Sequence, residues 1–424
     1  MPLSGRVGVL REPNYRRLFI GRTVSLVGDG IAPVAIAFAV LDLTGSATDL
    51  GIVLAAHSLM IIALILVGGV FADRISPRVS MLRADVVRAV VMGLMAALVI
   101  AGTVETWQLV VLYAIEGGAT AFFNPASNAI VPSIVSAERL QEATALLNLS
   151  RWGGRAIGPA LAGVLLALGT PGWALAVDAA TFAVSAYFLL RLQAPGARPD
   201  AKPAFGSELR DGWREFISRS WLWVAVLGAA FSNAVFFPAF QVLGPTVAKE
   251  SLGGSSAWAL IAAAFGTGAL LGGVLALYLR PRRPLLVGEA GLMLFAAPVA
   301  LLAIPSTVAL IGLAALAGGT AISLGEVLYE TTAAQHIPQE SLSRVSAYDW
   351  FGSLALEPLG LALIGPLAAG IGISTALWGA AAVMLACQVF IISVPSVRRL
   401  EARPWRTAPE PPTQTLLRPV EPGD

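Results

Sequence analysis

The chain has 424 residues, 56% of them hydrophobic and 13% charged, with a formal net charge of +2 and a mean hydropathy of +0.76. A soluble domain of ordinary composition is about 25% charged, so a deficit spread over the whole length excludes a water-surrounded globule and calls for a bilayer as solvent. One cysteine, Cys387, and two histidines far apart in sequence, His57 and His336, exclude an intrachain disulfide and argue against a metal site.

Arg6, Arg11, Arg16 and Arg17 precede a first apolar run that is too long for a signal-peptide core and has no small-residue cleavage site. It reads as an uncleaved first span. A span needs roughly 20 mostly apolar residues to cross a ~30 Å hydrocarbon core. Such runs fall at 18–41, 48–72, 80–103, 107–131, 139–168 and 172–192, then at 221–248, 256–280, 284–304, 306–330, 344–369 and 372–395. The expectation is an all-α membrane protein of twelve transmembrane helices: a six-helix bundle over 1–192, a cytoplasmic linker over 193–220 and a second bundle over 221–395. Residues 396–424, rich in Pro and polar groups, read as a disordered cytoplasmic tail.

The linker opens with Pro195, Gly196 and Pro199. It continues with Leu209, Trp213, Phe216 and Ile217 at helical spacing, interleaved with Arg210, Arg214 and Arg219. This reads as an amphipathic helix on the cytoplasmic membrane surface, or as a plain solvated loop. The basic loops (the N-terminal segment, Arg74 and Arg78, the linker, Arg280 with Arg282 and Arg283, and the tail) all lie on one side. Both termini are therefore expected in the cytoplasm. Only Lys202 and Lys249 among 28 basic residues are lysines, which with abundant Ala and Gly reads as a GC-rich bacterial gene.

The run Gly68-Gly69-Val70-Phe71-Ala72 returns as Gly272-Gly273-Val274-Leu275-Ala276, and the same offset of 204 carries Pro77-Arg78 onto Pro281-Arg282 and Asp85 onto Glu289. Two duplicated bundles place a substrate path at their interface and allow rocking between two access states. Ionisable residues inside spans are functional candidates by default. Asp29, near the middle of span one beside Gly30 and Pro33, is read as a proton carrier or as a carboxylate permanently paired with Arg22. Glu116, flanked by Gly117 and Gly118, and Glu357, beside Pro358, are further proton-coupling candidates. Arg151 and Arg155 are expected to neutralise Glu116 or to contact an anionic substrate. Asp85 and Arg88 read as a structural pair across one helix turn. Asp178 reads as a cavity cap or as simply exposed. Phe122, Phe123, Phe231, Phe236, Phe237 and Phe240 line a greasy cavity or pack against lipid. Glu326, Glu330 and Asp349 are assigned to a cytoplasmic gate.

Gly69-Val70-Phe71-Ala72-Asp73-Arg74-Ile75-Ser76-Pro77-Arg78 resembles the second–third loop signature of the major facilitator superfamily, with Ser76 and Pro77 departing from it. Its Asp73, Arg74 and Arg78 read as a charged gate, one-sided because Leu277 and Tyr278 stand in the second half. Gly154, Gly158, Pro159 and Gly163 in span five resemble the family's antiporter motif. Ser25-Leu26-Val27-Gly28-Asp29, Phe122-Phe123-Asn124-Pro125-Ala126 and Glu138-Arg139-Leu140-Gln141-Glu142-Ala143 resemble its exporter branch, which includes enterobactin exporters and drug-efflux proteins. Tyr113-Ala114-Ile115 stands where many antiporters carry an arginine ahead of the span-four glycine.

The resemblance implies a major facilitator fold and a monomer; Arg22, Arg151, Arg155 and Asn124, with the aromatic residues above, are the substrate-cavity candidates. The expected function is proton-coupled export of hydrophobic or amphipathic small molecules from a bacterial inner membrane. Its partners are lipid, substrate and protons, with no cofactor, metal, nucleic acid or enzymatic chemistry. The alternatives are an uptake permease and a non-transport sensor or assembly factor.

Overall fold

The computed structural model describes residues 8–74, 76–193, 212–304 and 306–402; within α2, the side-chain surroundings of 66–74 lie outside that description. The N-terminal half holds α1 (Pro13–Thr44), α2 (Ala47–Arg74), α3 (Pro77–Ala101), α4 (Thr106–Ile134), α5 (Leu140–Leu168) and α6 (Pro171–Arg191). The C-terminal half holds α7 (Ser220–Leu252), α8 (Ser255–Tyr278), α9 (Pro284–Leu302), α10 (Val308–His336), α11 (Tyr348–Ile371) and α12 (Ile373–Ser393). Local chemistry sets many of the ends. Pro13, Pro77, Pro171 and Pro284 stand in the first helical turn, where a missing N–H costs nothing. Gly45 and Gly102 close α1 and α3 at φ 66° and 68°, in the left-handed region that glycine enters freely.

Eleven of these helices are long and apolar enough to cross a membrane. Helix α5 is the exception: it has 29 residues, but Arg151 and Arg155 interrupt its middle. Apolar side chains on the outside of the bundles, such as Leu168, Leu277 and Phe390, stay exposed to the surroundings, as a protein solvated by lipid requires.

The halves meet along two seams, α5 against α8 and α2 against α11. The offset of 204 that relates the two sequences carries α2 onto α8, so the seams are pseudo-symmetric copies of one contact. Along the second seam, the Leu361 carbonyl packs on Gly51 and the Thr48 backbone packs on Gly365. A third contact joins the halves where Lys249 Nζ reaches Asp42 Oδ1 at 2.6 Å and donates to the Leu41 carbonyl. Thr48, Gly365, Asp42 and Lys249 lie at the end of the molecule that carries the connections 45–46 and 253–254. The molecule is closed there.

Two expected boundaries change. Within the linker, residues 212–217 are helical, but Phe216 is buried with Trp221, Leu222 and Val345. It packs near Tyr348, so this face of the amphipathic segment covers protein rather than lipid. Trp213 and Ile217 are half exposed, whereas Leu209 and Arg210 lie outside the described residues. At the other end, order continues past 396: Pro395–Arg398 is a helical turn, Val397 is fully buried, and the Ala402 amide donates to the Arg282 carbonyl. The rest of the expected tail, 403–424, lies outside the described residues.

Candidate functional site

The N-terminal half encloses an ion network centred on Arg88 of α3. Its Nε donates to Glu116 Oε1 on α4 at 2.7 Å, its Nη2 donates to Asp29 Oδ1 on α1, and Asp85 lies 3.9 Å away one turn back on α3. The guanidinium lies over the Phe182 ring, 3.8 Å from its centroid, where the ring quadrupole favours a cation. Glu116 is shared further: its Oε2 lies 2.6 Å from His57 Nε2 on α2, and Thr120 donates to its Oε1. The His57 ring is stacked on Tyr113 at 4.1 Å. Four helices thus converge on two carboxylates, and only Asp29 keeps a wet edge, its side chain 29% exposed. In low dielectric such groups persist only when paired and hydrogen-bonded.

Several sequence expectations change here. Arg88 and Asp85 do not form a private pair; Arg88 is the hub. Glu116 is neutralised by Arg88 and has His57 as a second partner, not Arg151 or Arg155. Arg22 stands 3.9 Å from Asp29 Oδ2, the weaker of that carboxylate's two arginine contacts. Its own guanidinium sits over Phe123, 4.5 Å from the ring centroid, and reaches Asn124 Oδ1 at 3.5 Å. Phe123 is fully buried beneath these cations and does not face an open cavity. Asp178 is neither cap nor exposed: it is fully buried on α6, against Gly28. Phe236 is buried too, in an aromatic block with Phe240, Phe265 and Phe295. Phe237 and Phe122 are half-buried, and Phe231 is exposed.

A cavity of about 290 Å³ opens between α1, α4 and α5; Arg22, Ser127, Asn128, Leu147, Asn148 and Arg151 are among its lining residues. Arg22 and Arg151 therefore share one space, whereas Arg155 turns toward Trp152. Reading charge alone overlooked Ser127, Asn128 and Asn148; their spacing on the polar faces of α4 and α5 was the available signal. Glu326 and Glu330 are exposed on α10 and lie within electrostatic range of Arg151.

The span-five motif works on two faces. Gly154 and Gly158 pack backbone to backbone on Gly30 and its neighbours in α1, where any Cβ would collide. Pro33 cannot donate to the Asp29 carbonyl, and Pro159 cannot donate to that of Arg155, so both helices are loosened at this crossing. On the opposite face of α5, the Arg155 carbonyl meets Gly266 of α8, across the seam. The packing of α5 on the α1 segment that carries Asp29 and the contact between halves thus fall at the same level of α5.

The expected gate separates into parts. Arg78 donates from Nε and Nη2 to the carbonyls of Leu189 and Leu190, capping α6 within its own half. Asp349 accepts from the Tyr329 hydroxyl, within the C-terminal half. The surroundings of Gly69, Asp73 and Arg74 lie outside the described residues. The 138–143 stretch ties the start of the chain to α5. There Arg139 bonds the Gly8 carbonyl, Glu142 accepts from the Val9 amide, and the Ala143 carbonyl accepts from Tyr15.

A family model described as transmembrane secretion effector, MFS_3, matches residues 4–421. The chain belongs to this family of the major facilitator superfamily. It is 28% identical over 367 residues to the enterobactin exporter EntS of Citrobacter koseri, covering 84% of this chain and 86% of that one. It is 27% identical to the multidrug efflux pump Tap of Mycolicibacterium fortuitum, over 92% of this chain and 98% of the pump. Among solved structures, the nucleoside transporter NupG superposes with a TM-score of 0.71 at 13% identity, over 89% of this chain and 98% of that one. A bacterial homologue of the human lysosomal transporter Spinster, crystallised inward-facing and unoccupied, gives 0.69 at 17%, over 93% and 96%. These structures share the fold. The protein is thus a multi-pass inner-membrane transporter with efflux-type relatives.

Proposed function

We propose that the protein is a proton-driven exporter of hydrophobic or amphipathic small molecules, with twelve spans, including α5, and both termini in the cytoplasm. The observation that carries this reading is the Arg88 network, which gathers Asp29 and Glu116 around one guanidinium and meets, at Asp29, the Arg22 that lines a polar cavity. A carboxylate with one wet edge and a buried cation behind it can exchange its proton with the cavity while the rest of the network stays dry. The linkage is then differential: substrate or proton biases the two access states only by its unequal affinity for them. The basic loops put the closed end outside, so the cavity beside Arg22 and Arg151 faces the cytoplasm, where an exported molecule must enter.

The test is uptake of fluorescent hydrophobic compounds into inside-out vesicles under an imposed pH gradient. Gradient-dependent accumulation that a protonophore abolishes is expected for the wild-type protein. Asp29→Asn is expected to reach the membrane in normal amount and to lose that accumulation. Full gradient-driven activity in Asp29→Asn would remove Asp29 from the proton path.

A further inference from the structure

Two arginines share the cavity between α1, α4 and α5, and neither is fully occupied. Thr23 Oγ1 and Ser150 Oγ lie 2.8 Å apart. The residues beside them, Arg22 on α1 and Arg151 on α5, are therefore fixed at one level of the bundle, and both line the cavity. Arg22 is 7% exposed. A guanidinium carries five N–H donors, yet among the described residues that of Arg22 reaches one acceptor, Asn124 Oδ1, at 3.5 Å. Its carboxylate neighbour Asp29 is 3.9 Å away, beyond hydrogen-bond distance, and is held more closely by Arg88. No nitrogen of Arg22 is both sealed and unpartnered, so the unused donors open into the cavity.

Arg151 is exposed, and among the described residues it makes no hydrogen bond or ion pair. Glu326 and Glu330 of α10 lie within electrostatic range of it, but they belong to the other half and do not line the cavity. Around the two guanidiniums stand Ser127, Asn128 and Asn148, then Leu26, Val131 and Leu147, and no carboxylate is among the lining residues. Two like charges in one partly dry space repel each other. An anion set between them relieves that repulsion and accepts charge-assisted N–H···O bonds from both. Binding there breaks no hydrogen bond to Asp29, because Arg22 makes none.

We propose that this cavity selects amphipathic organic anions. A carboxylate or similar oxyanion is held between Arg22 and Arg151, and an apolar body lies on Leu26, Val131 and Leu147. The inference deepens the export reading, on which it rests for the direction of movement; binding itself needs no gradient. It narrows the cargo from hydrophobic compounds at large to those that carry a negative charge. At the offset of 204, Val226 and Ala355 stand in the places of Arg22 and Arg151, so the C-terminal half has no second copy of this site.

The experiment is equilibrium dialysis of the full chain in nanodiscs of zwitterionic lipid, with empty discs subtracted. It compares naphthalene-2-carboxylate, naphthalene-2-carboxamide and 2-naphthylmethylammonium at about pH 7.5, where a carboxyl group is ionised. The carboxylate is expected to bind at least about ten-fold more tightly than the amide, the scale of one hydrogen bond to a charged group. Arg22→Gln and Arg151→Gln are each expected to cut that preference to less than about three-fold without weakening the amide. Arg283→Gln, in the exposed connection between α8 and α9, is expected to retain it, which separates a site from a loss of net positive charge. A carboxylate that binds no better than the amide or the ammonium ion, or an Arg151→Gln protein that keeps the full preference, would overturn the anion site. Should Arg22→Gln not yield monodisperse protein, Arg151→Gln decides alone, since its exposed side chain supports no packing. Anion-selective binding without gradient-driven export would remove the export reading and leave the site standing; export with no anion preference in binding would do the reverse.

Discussion

The two halves descend from one pattern yet treat the same level of the membrane in opposite ways. In the N-terminal half Asp29, His57, Arg88 and Glu116 meet in a buried ion network; at the offset of 204 the C-terminal half has Asn233, Ile261, Leu292 and Thr320. Where the first half pairs charges, the second stacks rings: Phe236, Phe240, Phe265, Phe295 and Trp258 fill its interior. Asn233 survives as a neutral bond to the Ser353 carbonyl. A titratable centre needs only one copy, because a rocking motion about the seams moves both halves relative to it. The other copy is then free to become a stiff apolar block.

The strongest way to break this comparison is to remove the hub. Arg88→Met removes the shared cation, leaving Asp29 its longer contact to Arg22 and Glu116 its contact to His57; a loss of about 3–5 kcal/mol is expected, as for buried pairs deprived of one partner, together with all gradient-driven transport. The equivalent change in the other half, Leu292→Met, is expected to cost less than about 1.5 kcal/mol and to leave transport intact. Thermal unfolding of the purified proteins followed by intrinsic tryptophan fluorescence compares the two, and equal melting temperatures would erase the distinction between the halves.

Phe295→Ala probes the aromatic block. A destabilisation of about 3 kcal/mol is expected from the cavity it leaves, with the pH dependence of transport unmoved, since no ionisable group is touched. A shifted pH profile in that variant would mean that the block participates in titration. Gly158→Val should act through geometry: a side chain driven into Gly30 costs about 1–3 kcal/mol of overpacking. Efflux should fall about ten-fold, or about 1.4 kcal/mol in barrier terms, while the membrane-inserted amount stays near normal. The smallest effect is expected at Lys249→Ala. It loses a half-exposed contact to Asp42 worth less than about 1 kcal/mol, and should show as a slight rise in the open outer end rather than as a change in melting.

Much of the architecture was legible in the chain. The helix limits at Pro13, Pro77 and Pro171 and at Gly45 and Gly102 follow from backbone chemistry that acts within a turn, and the apolar runs follow from the cost of placing polar groups in lipid. The candidate carboxylates were legible for the same reason: Asp29 and Glu116 stand out because charge inside a span is expensive. Their partners were not. Arg88 lies 59 residues from Asp29 and 28 from Glu116, and reading it beside Asp85 on its own helix gave the nearer but weaker pairing. His57 drew no functional reading at all, because a lone histidine in an apolar run carries no local signal.

The sequence by itself determined which segments are apolar enough to seek the bilayer, the internal repeat at an offset of 204, and which residues carry costly charge, since each depends on composition and spacing along the chain. Tertiary structure alone decided that Arg88 rather than Arg151 neutralises Glu116, that Arg78 caps the end of α6, and that Phe236 packs instead of lining a cavity. Each of these turns on which helix faces align across distances of many residues, and that alignment is set by close backbone crossings such as Gly30 on Gly158 and Gly51 on Leu361, where packing of one helix against another, rather than any local preference, fixes rotation and register.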